Sequence, residues 1–182
     1  MARVTRTRWI AEGLRVLAEE GDGALTVDAL CQRLERTKGS FYHHFGGRAG
    51  YVEALLRSWE RESTERLIAT VEGEGNVQER LRRLNHEASE EADPRVERAI
   101  RAWAAREPRA REVQDRVDAR RLEFLEGLIA ERMGAGEEAR TLARVFHLVF
   151  VGAQHLEPPF TGAELYRTFR FLDPLFERGG QG

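Results

Sequence analysis

Apolar residues in this 182-residue chain recur at three- and four-residue spacing almost from end to end, and nowhere do they alternate with period two. That periodicity builds amphipathic helices and leaves no face for a sheet. β-branched residues are scattered rather than clustered. The expected fold class is therefore all-α, with nine helices, three short ones followed by six longer ones. No internal repeat or low-complexity stretch interrupts them.

Punctuation residues set the expected boundaries. A first helix runs from about Val4 to Glu20, with Ile10, Leu14 and Leu17 on one face and Gly21 as its stop. Thr26 caps a short second helix that turns Val27, Leu30 and Leu34 inward. Thr37 caps a third, Lys38 to His44, broken by Gly46-Gly47. A long helix starts near Arg48, with Val52, Leu55, Leu56, Trp59, Ser63 and Leu67 as its buried stripe, and ends at Gly73 and Gly75. The next carries Val77, Leu81, Leu84 and Ala88. Asp93-Pro94 opens a helix with Val96, Ile100 and Trp103. Pro108 opens another, with Val113, Val117, Phe124, Leu128 and Met133. Glu137 to Leu156 is the most apolar helix, stopped by Pro158-Pro159. Thr161-Gly162-Ala163-Glu164 is a capping box for the last, lined by Leu165, Phe169, Leu172 and Phe176. Gly179 to Gly182 read as a frayed tail.

Composition removes several classes. With 41% hydrophobic and 8% aromatic residues the chain can build a core. Its longest apolar run, Leu148 to Ala153, is far too short to cross a bilayer. The first ten residues lack the apolar core of a signal peptide, so a cytoplasmic location is expected. A single cysteine, Cys31, excludes an intramolecular disulfide. It stands on a helix with no nearby ligand set and reads as a small buried filler. None of the five histidines has metalloprotease spacing, and no glycine-rich phosphate loop exists. No catalytic residue, metal site or cofactor is expected.

Residues 26 to 45, TVDALCQRLERTKGSFYHHF, carry the most information. Two short helices joined by three or four residues suggest a helix-turn-helix. The second is too short to stand alone, so Phe41 and Phe45 must pin it to Leu30, Leu34 and the first helix. Its other face shows Lys38, Gly39, Ser40, Tyr42, His43 and His44. Lys, Ser, Tyr and His supply donors for phosphates or base edges, and Gly39 permits close backbone approach. The free N–H groups near Thr37 add an anion site.

The same stretch resembles the DNA-binding domain of the TetR family of transcriptional regulators. The resemblance lies in Thr26-Val27, in Lys38-Gly39-Ser40-Phe41-Tyr42-His43-His44-Phe45, and in Arg48 opening a long helix. It covers residues 4 to about 60. It implies an N-terminal helix-turn-helix domain (1–47) and a C-terminal ligand-binding and dimerisation domain (48–182). It implies that Thr26 caps the second helix and meets a phosphate, that Thr37 caps the recognition helix, and that Lys38 and Ser40 reach backbone or base edges. Gly39 then lets the helix sit close, Tyr42 and His43 contact the groove, and Arg48 anchors the fourth helix to phosphate. Glu35 and Arg36 stand where the family carries glycine and an aliphatic residue. Either the turn is remodelled, or Arg36 points outward and adds a phosphate contact.

The resemblance further implies a homodimer on a double-stranded operator, with two half-sites about one DNA turn apart. Its interface would be the last two helices, through Leu142, Phe146, Val149, Leu165, Phe169 and Leu172. It implies a small-molecule effector held by the middle helices, with Trp59, Asn85, His86, Trp103, Arg121, Phe124, His147 and Phe150 as candidates. Trp103 and His147 stand foremost among these. The chain then functions as a repressor released by its effector, with the helix from Arg48 as lever. The alternative is a homodimeric interaction module that has lost operator binding.

Charge fits a local rather than a global DNA surface. The chain has 29 Lys and Arg against 31 Asp and Glu, a net charge of −2. Residues 1–50 nevertheless hold 8 basic and 6 acidic residues, and the remainder 21 and 25. A local positive footprint on an acidic body is what DNA meets. Lys38 is the only lysine, and every other basic residue is Arg.

Overall fold

The computed structural model describes residues 5–73, 75–91 and 93–178, and no strand occurs among them. Nine helical rods follow in order. They are α1 (Arg6–Glu20), α2 (Val27–Leu34) and α3 (Lys38–Phe45). The fourth, α4, runs through Arg48–Glu60, a π-helical turn Arg61–Glu65, and Arg66–Val71. Then come α5 (Val77–Glu91), α6 (Pro94–Ala104) and α7 (Pro108–Met133). Last are α8 (Glu137–His155) and α9 (Gly162–Arg178). A single 3-10 turn, Asp22–Ala24, joins α1 to α2. The expected start at Val4 and tail at Gly179 to Gly182 lie outside the described residues.

Side-chain caps set these boundaries. The hydroxyls of Thr5, Thr26 and Thr37 accept from Arg8, Ala29 and Ser40 backbone N–H groups. Each satisfies one of the orphan donors of a first helical turn. At α9 the expected box is closed: Glu164 N donates to Thr161 Oγ1 (3.3 Å), and Thr161 N donates to Glu164 Oε2 (2.8 Å). The two Thr161 donors hold the Glu164 carboxyl below its ordinary range. The same reciprocal pair forms between Asn76 and Glu79 ahead of α5.

The π turn corrects the expected stripe of α4. It accommodates an extra residue within the rod, so the helical face advances by one position. Thr64, Ile68 and Val71 are buried, whereas Ser63 and Leu67 are only half-buried.

The chain forms two compact units, Met1–Arg61 with Arg95–Gln114, and Glu62–Pro94 with Asp115–Gly182. The first is built on an aromatic cluster. Phe41 lies 5.5 Å from Trp9, 5.3 Å from Phe45 and 5.1 Å from Tyr51, centroid to centroid. Tyr51 Oη donates to the Trp9 carbonyl at 2.8 Å, and burial pushes its phenol far above the ordinary range. Leu30, Leu34, Leu17 and Leu55 complete this core; on α1 the buried face is Trp9, Gly13, Val16 and Leu17, and the expected Ile10 and Leu14 are only half-buried. Trp59 and Trp103 are buried in the same unit, 3% exposed each.

The second unit packs α5, α8 and α9 around Leu81, Leu128, Ile129, Leu142, Phe146 and Phe169. The rings of Phe146 and Phe169 stack at 5.8 Å. This changes the reading of the last two helices. Leu142, Phe146, Leu165 and Phe169 are 1–7% exposed and fill the chain's own core rather than an outward face. Val149 and Leu172 pack against that core from its edge. The outward apolar side chains are instead Leu148, Phe171 and Leu175, at 67%, 84% and 49% exposure. No helix among the described residues is long and apolar enough to cross a membrane.

Candidate nucleic-acid interface and ligand cavity

The turn between α2 and α3 keeps a tight geometry in spite of its residues. Glu35 adopts the left-handed conformation, φ 55° and ψ 49°. Its N–H donates to Gln32 O (3.2 Å), and Arg36 N–H donates to Cys31 O (2.9 Å). These are the two hydrogen bonds of a Schellman motif, so Glu35 does what glycine would do at a steric cost. The turn is not remodelled. Arg36 is half-buried and folds back, its Nη1 donating to the Glu35 carbonyl at 3.0 Å. Glu35→Gly should raise stability by about 0.5–1 kcal/mol. Relief of left-handed strain outweighs the extra freedom of glycine in the unfolded chain. A urea titration followed by tryptophan fluorescence checks this, and an unchanged or lower midpoint contradicts it.

Helix α3 is divided cleanly by its 100° step. Phe41 and Phe45 point into the aromatic cluster, 0% and 8% exposed. Lys38, Tyr42, Gly39 and His43 sweep a contiguous arc of roughly 140° that adjoins this buried side, and all four are exposed. Ser40 and His44 sit half-buried at its border. Thr26, Thr37 and Arg48 are exposed at the starts of α2, α3 and α4. A Cβ added at Gly39 would meet only Thr37 Oγ1, at 3.7 Å. Nothing inside the chain therefore requires glycine there, although it weakens a helix by about 1 kcal/mol.

Lys38 Nζ lies 2.6 Å from Asp28 Oδ1, and that carboxylate raises the ammonium above its ordinary range. Both groups are largely exposed. Such a solvent-screened pair contributes little to stability, so a phosphate can replace Asp28 as the partner of Lys38.

The second unit holds a partly open cavity of ≈ 60 Å³. Its walls are apolar: Leu67 and Ile68 from α4, Phe124 from α7, Phe146 and Phe150 from α8, Phe169 from α9. Five polar side chains reach the lining: Ser63, Thr64, Asn85, Arg121 and His147. The π turn of α4 supplies the first two. Arg121 Nε donates to Thr64 Oγ1 (3.1 Å) and its Nη2 to the Ser63 carbonyl (3.3 Å). Its guanidinium lies over the Phe150 ring, 5.2 Å from the centroid. His147 Nε2 stands 3.3 Å from Asp118 Oδ1. Asn85 is 3% exposed and its Nδ2 has no hydrogen-bond partner, and neither does buried Ser63 Oγ.

Of the eight sequence candidates, Asn85, Arg121, Phe124, His147 and Phe150 line this cavity. Trp59 and Trp103 do not, being core residues of the other unit. His86 lies outside the lining, beside Tyr166, 5.5 Å between rings. Sequence reasoning missed Thr64. Its signal is a polar residue placed one position off an apolar stripe.

A family model described as "Bacterial regulatory proteins, tetR family" matches residues 10–55. No curated protein sequence matches the chain. Solved structures do. A transcriptional regulator of the TetR/AcrR family from Thermobifida fusca superposes with a TM-score of 0.66 at 20% identity, covering 94% of this chain and 96% of that one. E. coli NemR in its reduced form gives 0.78 at 19% identity, covering 94% and 97%. A Saccharomonospora viridis protein assigned as a transcriptional regulator, solved with choline, gives 0.74 at 15% identity, covering 93% and 95%. The motif of α2 and α3 and the matched residues agree: residues 10–55 fit the tetR family model of a bacterial regulatory protein, and the chain shares the all-helical fold of these solved regulators.

Proposed function

We propose that the chain is a repressor that binds a palindromic DNA operator as a homodimer and leaves it when a small-molecule effector fills the cavity. The observation that carries the DNA half is the exposed arc of Lys38, Gly39, Tyr42 and His43, held in place by Phe41 and Phe45. Thr26, Thr37 and Arg48 lie at helix N-termini, where backbone N–H groups favour phosphate. Ser40 and Arg36 border the arc. Residues 1–47 read the DNA, and 48–182 sense the effector and dimerise.

Two-fold operators call for two-fold proteins. The outward face of α8 and α9, with Leu148, Phe171 and Leu175, suits a four-helix bundle between copies. Exposed aromatics and leucines on adjacent helices are costly unless covered. An effector that binds better to a conformer with misplaced recognition helices shifts the population away from DNA. Helix α4 carries Arg48 at its start and Ser63 and Thr64 of the cavity in its π turn. It is the covalent link along which such a shift passes.

A gel-shift with DNA upstream of the chain's own gene, at low salt, tests the reading. Retardation should weaken steeply as salt rises. Lys38→Ala should lower affinity about tenfold and reduce the salt slope by about 1, by loss of one phosphate or base contact. Its sedimentation as a dimer should be unchanged. Unaltered affinity would remove Lys38 from the interface.

A further inference from the structure

We infer that the cavity takes an organic anion, an apolar-bodied carboxylate whose charged end is read by Arg121, Asn85 and Ser63. This rests on the reading of the cavity as the effector site and names the chemistry that the site selects. Among the polar side chains that line it, Arg121 carries a permanent positive charge and none is acidic. The Asp118 carboxylate is not part of the lining and faces His147. The guanidinium is fixed in place by Thr64 Oγ1 and the Ser63 carbonyl, with its face on Phe150. It is thus oriented before any ligand arrives, which lowers the ordering cost of binding.

The same lining holds two more polar groups without hydrogen-bond partners in the protein. Asn85 Nδ2 is a donor in a residue only 3% exposed, and Ser63 Oγ is buried as well. Buried polar groups are rarely left unpaired unless something else satisfies them. An amide N–H, a hydroxyl and a guanidinium together complement a carboxylate, which only accepts. A cation would find no lining carboxylate, and the ring face of Phe150 is already taken by Arg121. Phe124, Phe146 and Phe169 then enclose the apolar remainder of the ligand.

Isothermal titration calorimetry of the full chain with 3-phenylpropionate, octanoate and indole-3-acetate tests this, beside their carboxamides and choline. At least one carboxylate should bind about tenfold or more tightly than its own amide, the worth of a charge-assisted hydrogen bond. Arg121→Gln should bring that carboxylate-to-amide ratio close to one. The ratio is internal to each protein, so partial loss of folded variant does not alter it. Equal or tighter binding of the amides or of choline overturns the anion assignment and leaves the effector site standing. Binding of none of these probes overturns the effector site and the assignment together.

Discussion

Phe41→Ala should destabilise the first unit by about 3–5 kcal/mol, the usual cost of emptying a fully buried phenylalanine site. Phe41 is 0% exposed and touches Trp9, Phe45 and Tyr51. Its loss removes the side chain that joins α1, α3 and α4. Helix α3 has only 8 residues, far below the length at which a helix holds itself together in water. The recognition surface should therefore melt with the cavity rather than survive it. All three tryptophans, Trp9, Trp59 and Trp103, lie in this unit. Tryptophan fluorescence during urea unfolding consequently reports the first unit alone. The expected result is a large fall in midpoint with DNA binding abolished. A change below about 1 kcal/mol would mean that the cluster does not hold α3.

Gly13→Ala should also destabilise, by about 2–4 kcal/mol, against the ordinary sign for that exchange in a helix. Alanine normally gains up to about 1 kcal/mol over glycine there. At position 13 an added Cβ would collide with Tyr51 Oη and stand 2.6 Å from Leu55 Cδ1. Neither neighbour can retreat, because Leu55 is 0% exposed and Tyr51 is tied to the Trp9 carbonyl. The variant must displace Tyr51 and break a buried hydrogen bond. Tyr51→Phe removes the colliding oxygen, so the double variant should be less destabilised than the sum of the two singles. Fluorescence-monitored unfolding of the four proteins measures the coupling. Simple additivity would show that Gly13 is there for another reason.

Much of this molecule was legible because its early helices obey local rules. Thr26 and Thr37 are caps by residue type alone, and Phe41 and Phe45 stand four apart on one face of α3. Glu35 was harder. Its identity argues against a left-handed turn, but the hydrogen bonds of Arg36 and Glu35 to α2 impose one. The π turn was invisible, because periodicity assumes a constant 3.6-residue step. That assumption placed Ser63 rather than Thr64 on the buried face of α4. The last two helices misled for a different reason. Apolar composition shows that a residue wants burial but not by what, and Phe146 and Phe169 found each other within one protomer. The same ambiguity sent Trp103 to the candidate cavity when it belongs to a core. Asn85, Arg121 and His147 were recoverable because polar side chains on otherwise apolar helix faces need a purpose.

We propose that α2 and α3 read a two-fold DNA site. Selection from a random-sequence duplex pool by the purified full chain tests it directly, since the protein itself picks out its operator. Enrichment of an inverted repeat whose half-sites are centred about one helical turn apart is the expected result, with Lys38→Ala enriching it poorly. A pool that stays random after repeated rounds, from a protein that is folded and dimeric, would contradict it.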